Sequence, residues 1–257
     1  MIDQRILKKF PLPERNIICC ANVGSISHGT AGSVIDDEDI MGAFLPEPRS
    51  LYGVESFEHW DPVVSSDPEL GNLDPVFYDI RKLHRLWLKG NPNVMCLLWM
   101  ENRFYHFKSQ RFFAPFIENR EVYNSKLAYH ALKGYARSQL HDMDKGVYKG
   151  YMGVKRKELV DKFGYDTKSA AHTVRILRMG IEYLETGEYN ILRPDAEEIK
   201  KIKAGGWDRQ VVLNEVDYLL KEMEKAAESS KLPELSDKDH STQILMSVLR
   251  DWDYDSF

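Results

Sequence analysis

The sequence predicts an α/β (α+β) chain in two parts, a small mixed sheet with helices and then a helical C-terminal half. Three observations carry this. The apolar run Ile17-Ile18-Cys19-Cys20-Ala21 stops at Gly24-Ser25 and reads as a buried strand. A second strand-like stretch leaves the acidic run Asp36-Asp37-Glu38-Asp39 and returns to apolar residues at Ile40-Met41-Gly42-Ala43-Phe44. Past residue 122 the apolar residues recur at helical spacing. The boundary falls within 105–122, so 1–110 is taken as one unit and 111–257 as the other.

Taken in order, residues 1–16 form an entry segment, helical up to Phe10-Pro11. Residues 40–52 leave the acidic strand for a loop with Pro46 and Pro48, and 53–75 are turn-rich and unassigned. Val76, Ile80, Leu83 and Trp87 lie at helical spacing, with a stop at Gly90; Val94 to Met100 is a second apolar run. Asn124 or Ser125 can cap a helix to about His141. A helix over Thr167–Glu185 would bury Ala170, Val174, Leu177, Ile181 and Leu184, with Lys168, His172 and Arg175 on its far face and Arg178 at the edge. A third helix starts near Pro194 and ends at Gly205-Gly206, and a fourth spans about 209–227. Residues 229–239 read as a polar linker, and Asp251, Asp253 and Asp255 mark an acidic, mobile tail.

Composition excludes several classes. At 257 residues, 43% hydrophobic and 29% charged, the chain can bury a substantial core. No apolar run approaches the roughly 20 residues of a membrane helix, and the first ten residues lack a signal-peptide core, so a cytoplasmic protein with no membrane partner is expected. Three cysteines, two of them adjacent, make no disulfide framework, and eight scattered histidines offer no zinc spacing. The net charge of −5 hides an uneven distribution. Between Lys145 and Arg178 stand nine Lys/Arg against three acids, a segment at +6 in a chain otherwise at −11. That contrast implies a localised anion site.

The chemistry concentrates in residues 23–44. Glycines at 24, 29 and 32 let backbone approach a ligand closely, and Ser25 offers a hydroxyl to a phosphate. Asp37 and Asp39 are two apart, so in an extended strand their carboxylates share a face. Carboxylates held close repel unless cations sit between them, and Mg²⁺, with Mn²⁺ as its substitute, takes oxygen ligands and bridges to phosphates. No Walker loop, dinucleotide fingerprint or internal repeat is present.

Gly24-Ser25, Gly29-Thr30 and Asp37-Glu38-Asp39 resemble the signature of the polymerase-β-like nucleotidyltransferase superfamily. Asn91-Pro92-Asn93-Val94, Gly134-Tyr135 with Gln139, the run Lys168–Arg178, Gly187 and Arg193-Pro194 resemble the predicted nucleotidyltransferase family associated with RNA repair. The chain departs from it at Asp36, where Ser is frequent, and at Cys96, where an acid is expected. The resemblance implies a nucleotidyltransferase sheet domain followed by a helical domain that closes over the nucleotide. It implies two metal ions on Asp37 and Asp39, and a third carboxylate on a strand before a helix, best met by Asp74 with Asp79 behind it. Gly24, Ser25, Lys168, His172, Arg175 and Arg178 would bind the nucleotide. Lys126, Lys133, Arg137, Lys155, Arg156 and Lys157 would bind the acceptor. The expected reaction moves a nucleotidyl group from an NTP to a hydroxyl, first of all at an RNA or tRNA end. The competing readings are a toxin- or antitoxin-type enzyme that nucleotidylates a protein or tRNA, and a catalytically silent nucleotide- or RNA-binding module.

Overall fold

Strand β1 (Ile17–Asn22) is buried over its first five residues, which sets it inside the sheet. The computed structural model describes residues 1–32, 37–62, 68–144 and 154–256. Strand β1 pairs antiparallel with β2 (Glu38–Phe44) and with β5 (Tyr105–Lys108). On its other side β2 pairs in parallel with β4 (Leu73–Asp79), and the two-residue β3 (His59–Trp60) closes that edge antiparallel. The order is β3-β4-β2-β1-β5, a mixed five-stranded sheet.

The helices are α1 (Gln4–Lys9), α2 (Gly24–Ser27), α3 (Pro48–Tyr52), α4 (Ile80–Leu88), α5 (Pro92–Trp99), α6 (Ala114–Glu118), α7 (Leu127–Asp144), α8 (Val154–Phe163), α9 (Thr167–Thr186), α10 (Ala196–Lys203), α11 (Arg209–Ser229) and α12 (Lys238–Ser256). Among the described residues no helix is long and apolar enough to cross a membrane. Helix α1 lays Ile6 over one face of the sheet, onto Ile40, Phe44, Leu73 and Phe77. The other face joins a single hydrophobic cluster that runs from Ile18 through α4, α5, α7, α9 and α11 to Trp252. The sheet and the helical half therefore bury one common core.

Four expectations need correction. Residues 40–44 belong to β2, and the chain then enters the short helix α3. Val76 lies in β4, and the helix starts only at Ile80, where the Asp79 side chain accepts the Arg81 N–H at 2.7 Å and caps it. Helix α9 begins where expected, capped by Asp166 and ended by Gly187 at φ 80°, but it is buried on nearly every side. Helices α7, α10 and α11 all pack along it, so its polar stripe does not face solvent throughout. The tail is a helix, α12, docked onto the body. Trp252 is 5% exposed, donates Nε1–H to the Pro46 carbonyl at 2.9 Å, and meets the Phe112 ring edge-on at 5.7 Å. The apolar and hydrogen-bonding content of this one residue outweighs the acidic residues around it. Trp252→Ala should therefore cost about 3–5 kcal/mol of stability, read as a shift of the urea unfolding midpoint.

Asp36, Lys145 and Lys149 lie outside the described residues, as does the side chain of Lys155, whose backbone is in α8.

Candidate active site

The alternation of β2 divides the acidic run between two faces. Ile40 and Phe44 face α1, and Glu38 on that side accepts from the Asn72 amide at 3.2 Å. Asp39, Met41 and Ala43 take the opposite side, toward the helical half. In the parallel pairing Asp39 stands opposite Asp74, so both side chains rise from one face of neighbouring strands. Asp37 sits two residues before Asp39 and is exposed, as is Asp74; Asp39 is half-buried. Burial first, then the charge of Asp37, raises Asp39 above the usual carboxylate range, while Lys168, Lys203 and the Ser25 N–H pull it down. Asp74 is raised by burial, then by Asp39, Asp61 and Asp37, with Lys168 opposing. Asp61, just past β3, thus joins the acidic group. No sequence signal marked it, because it is a single acid in a turn-rich stretch.

Residues 23–30 are shaped around Asp39. The Val23 N–H donates to the Asp39 carbonyl at 2.9 Å, and the Ser25 N–H donates to its carboxylate. Gly24 has φ +59°, and a Cβ on it would stand 1.9 Å from Asp39 Oδ2. Only glycine leaves that carboxylate its place. Thr30 fastens the turn, its N–H donating to the Ser25 carbonyl at 2.8 Å.

The basic residues divide into those near the carboxylates and those engaged elsewhere. Lys168, exposed in the first turn of α9, acts on both Asp39 and Asp74. His172 follows one turn later, edge-on to the Tyr135 ring at 6.2 Å. Burial, then the charges of Arg175, Lys168, Arg156 and Lys203, pushes His172 down to about 3, so it is a neutral imidazole at physiological pH. Arg175, expected on the far face of its helix, is 5% exposed, and its Nη1 donates to His28 Nε2 at 2.7 Å.

Arg178 is enclosed by Asp195, Glu198 and Glu215 at 2.8, 2.6 and 2.8 Å. Arg156 pairs with Asp166 and donates to Ser169 Oγ at 3.1 Å, bracing the start of α9. Lys126 pairs with Glu234 at 2.8 Å, and Lys133 turns to Tyr129 and Glu224. Arg137 and Lys157 are exposed. The geometry thus gathers Gly24, Ser25, Asp37, Asp39, Asp74 and Lys168, with His172 one turn further along α9. It commits Arg178, Lys126 and Lys133 to carboxylates of the helical half.

Among the described residues no three His, Cys, Asp or Glu side chains close on one point as a preformed metal centre does. The donor set still fits Mg²⁺, which demands oxygen ligands, keeps several waters and takes only one or two carboxylates beside substrate phosphates. Asp37 and Asp74 are open to solvent and Asp39 stands in register with Asp74, so one or two of these carboxylates are accessible to an ion arriving with substrate phosphates.

The model of the RNA repair pathway DNA polymerase beta family matches residues 4–248. The chain belongs to that family. The RNA repair pathway DNA polymerase beta family is a nucleotidyltransferase family, so the protein is an enzyme of nucleotidyl transfer. No curated protein sequence matches the chain. Among solved structures, a nucleotidyltransferase-like protein from Exiguobacterium sibiricum is similar over 93% of this chain and 75% of its own, at 13% identity and a TM-score of 0.29, a likeness too weak to decide anything.

Proposed function

We propose that the protein transfers a nucleotidyl group from an NTP to a hydroxyl of an RNA end, with Asp37, Asp39 and Asp74 as the reaction centre. One observation carries this: Asp39 stands in register with Asp74 on parallel strands, in a niche that the missing side chain of Gly24 leaves open. Asp37 and Asp39 would hold two Mg²⁺ ions. Bound there, the ions would lower the acceptor hydroxyl's pKa and neutralise the leaving pyrophosphate. Asp74, raised by burial and then by its acidic neighbours, takes the proton from the acceptor hydroxyl. The acceptor oxygen bonds to the α-phosphorus, the bond to the bridging oxygen breaks, and pyrophosphate leaves.

Ser25 orients the triphosphate with its hydroxyl, and Lys168, which acts on both Asp39 and Asp74, meets its charge. His172, held neutral, donates or accepts a hydrogen bond without adding to the positive charge around it. An RNA acceptor is supported by the family's description and by the exposed Lys157 and Arg137 on α8 and α7. Lys155 belongs to the same run, whereas Arg156 supports it indirectly, bracing the start of α9 through Asp166 and Ser169.

The test is incubation with each labelled NTP, Mg²⁺ and total RNA, read for label transfer and pyrophosphate release. Label on RNA is the expected result. Label on protein would replace RNA with a protein acceptor, and nucleotide binding without pyrophosphate would make the chain a silent module. Binding of single-stranded RNA should weaken with salt, each phosphate contact adding about 0.7 to the log–log slope, so Lys157→Ala should flatten it by about that much.

A further inference from the structure

One side chain of the Gly24–Thr30 segment reaches into the helical half. His28 Nδ1 lies 2.8 Å from the Ile191 carbonyl oxygen, and since a carbonyl only accepts, Nδ1 carries the proton. Nε2 is then a bare lone pair and takes the N–H of Arg175 Nη1 at 2.7 Å. The His28 carbonyl receives the Arg193 backbone N–H at 3.2 Å. Both side chains are buried, His28 at 8% and Arg175 at 5% exposure. Among the described residues no carboxylate pairs with Arg175, whose Nη1 otherwise meets only the Met179 sulfur at 3.2 Å. A second proton on His28 would set two cations face to face without water. Burial and the Arg175 charge accordingly hold the imidazole well below its ordinary range.

The consequence lies in what each partner belongs to. His28 ends the turn that seats Asp39, and Arg175 stands two turns along α9 from Lys168, on the same face, about 10 Å away. Among the described residues theirs is the single side-chain hydrogen bond between residues 24–30 and α9. We propose that His28 is a positioning residue, whose Nε2–Arg175 bond sets α9 and Lys168 against the Gly24-Ser25 turn and the Asp39 carboxylate. The proposal rests on the reading of nucleotidyl transfer above. That reaction needs the carboxylates of the sheet and the lysine of the helix in one geometry, although they come from segments more than a hundred residues apart. The Ile191 bond ties His28 only to a loop, so the Arg175 bond is the one that matters for turnover.

Two variants separate the bonds. His28→Asn keeps a donor where Nδ1 stands but cannot reach Arg175, whereas His28→Gln brings an acceptor to the place of Nε2. Each is compared with the wild type in NTP kinetics and in hydrogen exchange of the Ser25 amide, with the Cys20 amide of β1 as reference for global opening. His28→Asn should lower kcat about tenfold to a hundredfold, leave KM for NTP within about threefold, and speed Ser25 exchange about tenfold relative to Cys20. His28→Gln should recover most of each. Arg175→Met breaks the same bond from the other side, should give the same kcat loss, and carries the test if His28→Asn does not fold.

A kcat within about twofold of wild type in folded His28→Asn, equal losses in the Asn and Gln variants, or an unmoved Ser25 amide would each overturn the proposal. If the wild type itself transfers nothing, the functional reading fails, and Ser25 exchange alone decides the positioning role. Acceleration in the Asn variant with recovery in the Gln variant supports it, and no change overturns it.

Discussion

Asp39→Asn should abolish nucleotidyl transfer, by about a thousandfold or more, because several kcal/mol of transition-state charge stabilisation would go with the ion proposed for this carboxylate. Asparagine keeps the shape and an oxygen for the Ser25 N–H, so the fold should remain. Without metal, stability should be equal or higher, and its pH dependence gives the sign. Burial and Asp37 raise Asp39 above its ordinary value of 3.8, so the native state holds the proton longer than the unfolded chain does. Ionisation of Asp39 therefore opposes folding. The loss is absent below about 3.8 and develops as pH rises through the raised native value. Urea unfolding of wild type and variant at several pH values should show the variant gaining on the wild type as pH rises through that window. A variant less stable at neutral pH would mean that the carboxylate is held by something more favourable than its present neighbours.

Gly24→Ala should be the next most damaging, for a different reason. The added methyl would stand 1.9 Å from Asp39 Oδ2, and the backbone there has φ +59°. The left-handed conformation alone costs an L-residue about 1–2 kcal/mol. Relief of the clash must move either the turn or the carboxylate, and a displacement near 1 Å at a reacting centre costs about a hundredfold. Circular dichroism should find the variant folded, with a somewhat lower melting temperature and transfer down by about that factor. An active Gly24→Ala would show that the carboxylate has another productive position.

Much of the architecture was legible because periodicity is local. The run at 17–21 and the helices that became α7, α9, α10 and α11 each announce themselves within a few turns of chain. Val76 was misplaced because a strand feeding directly into a helix continued the helical spacing by coincidence, and the Asp79 cap that separates them looks like any turn aspartate. The position of Asp74 opposite Asp39 depends on a parallel pairing across more than thirty residues, which no local pattern contains; only the family resemblance singled out Asp74. Arg175 falls on the face opposite the apolar stripe, and its burial is missed because a helical wheel knows nothing of the turn that covers it, 147 residues earlier in the chain. The acidic tail concealed Trp252, since three aspartates dominate composition while one indole dominates docking.

The carboxylates rise from the same face of the sheet that the helices bury. Catalysis and cohesion are thus written on one surface, with no spare layer between them. Replacing the helical half would strip the apolar cover from the sheet face that carries Asp39 and Asp74, so the two halves must change together. Change is easier at exposed positions such as Lys157 and Arg137, which are not among the groups that act on Asp39.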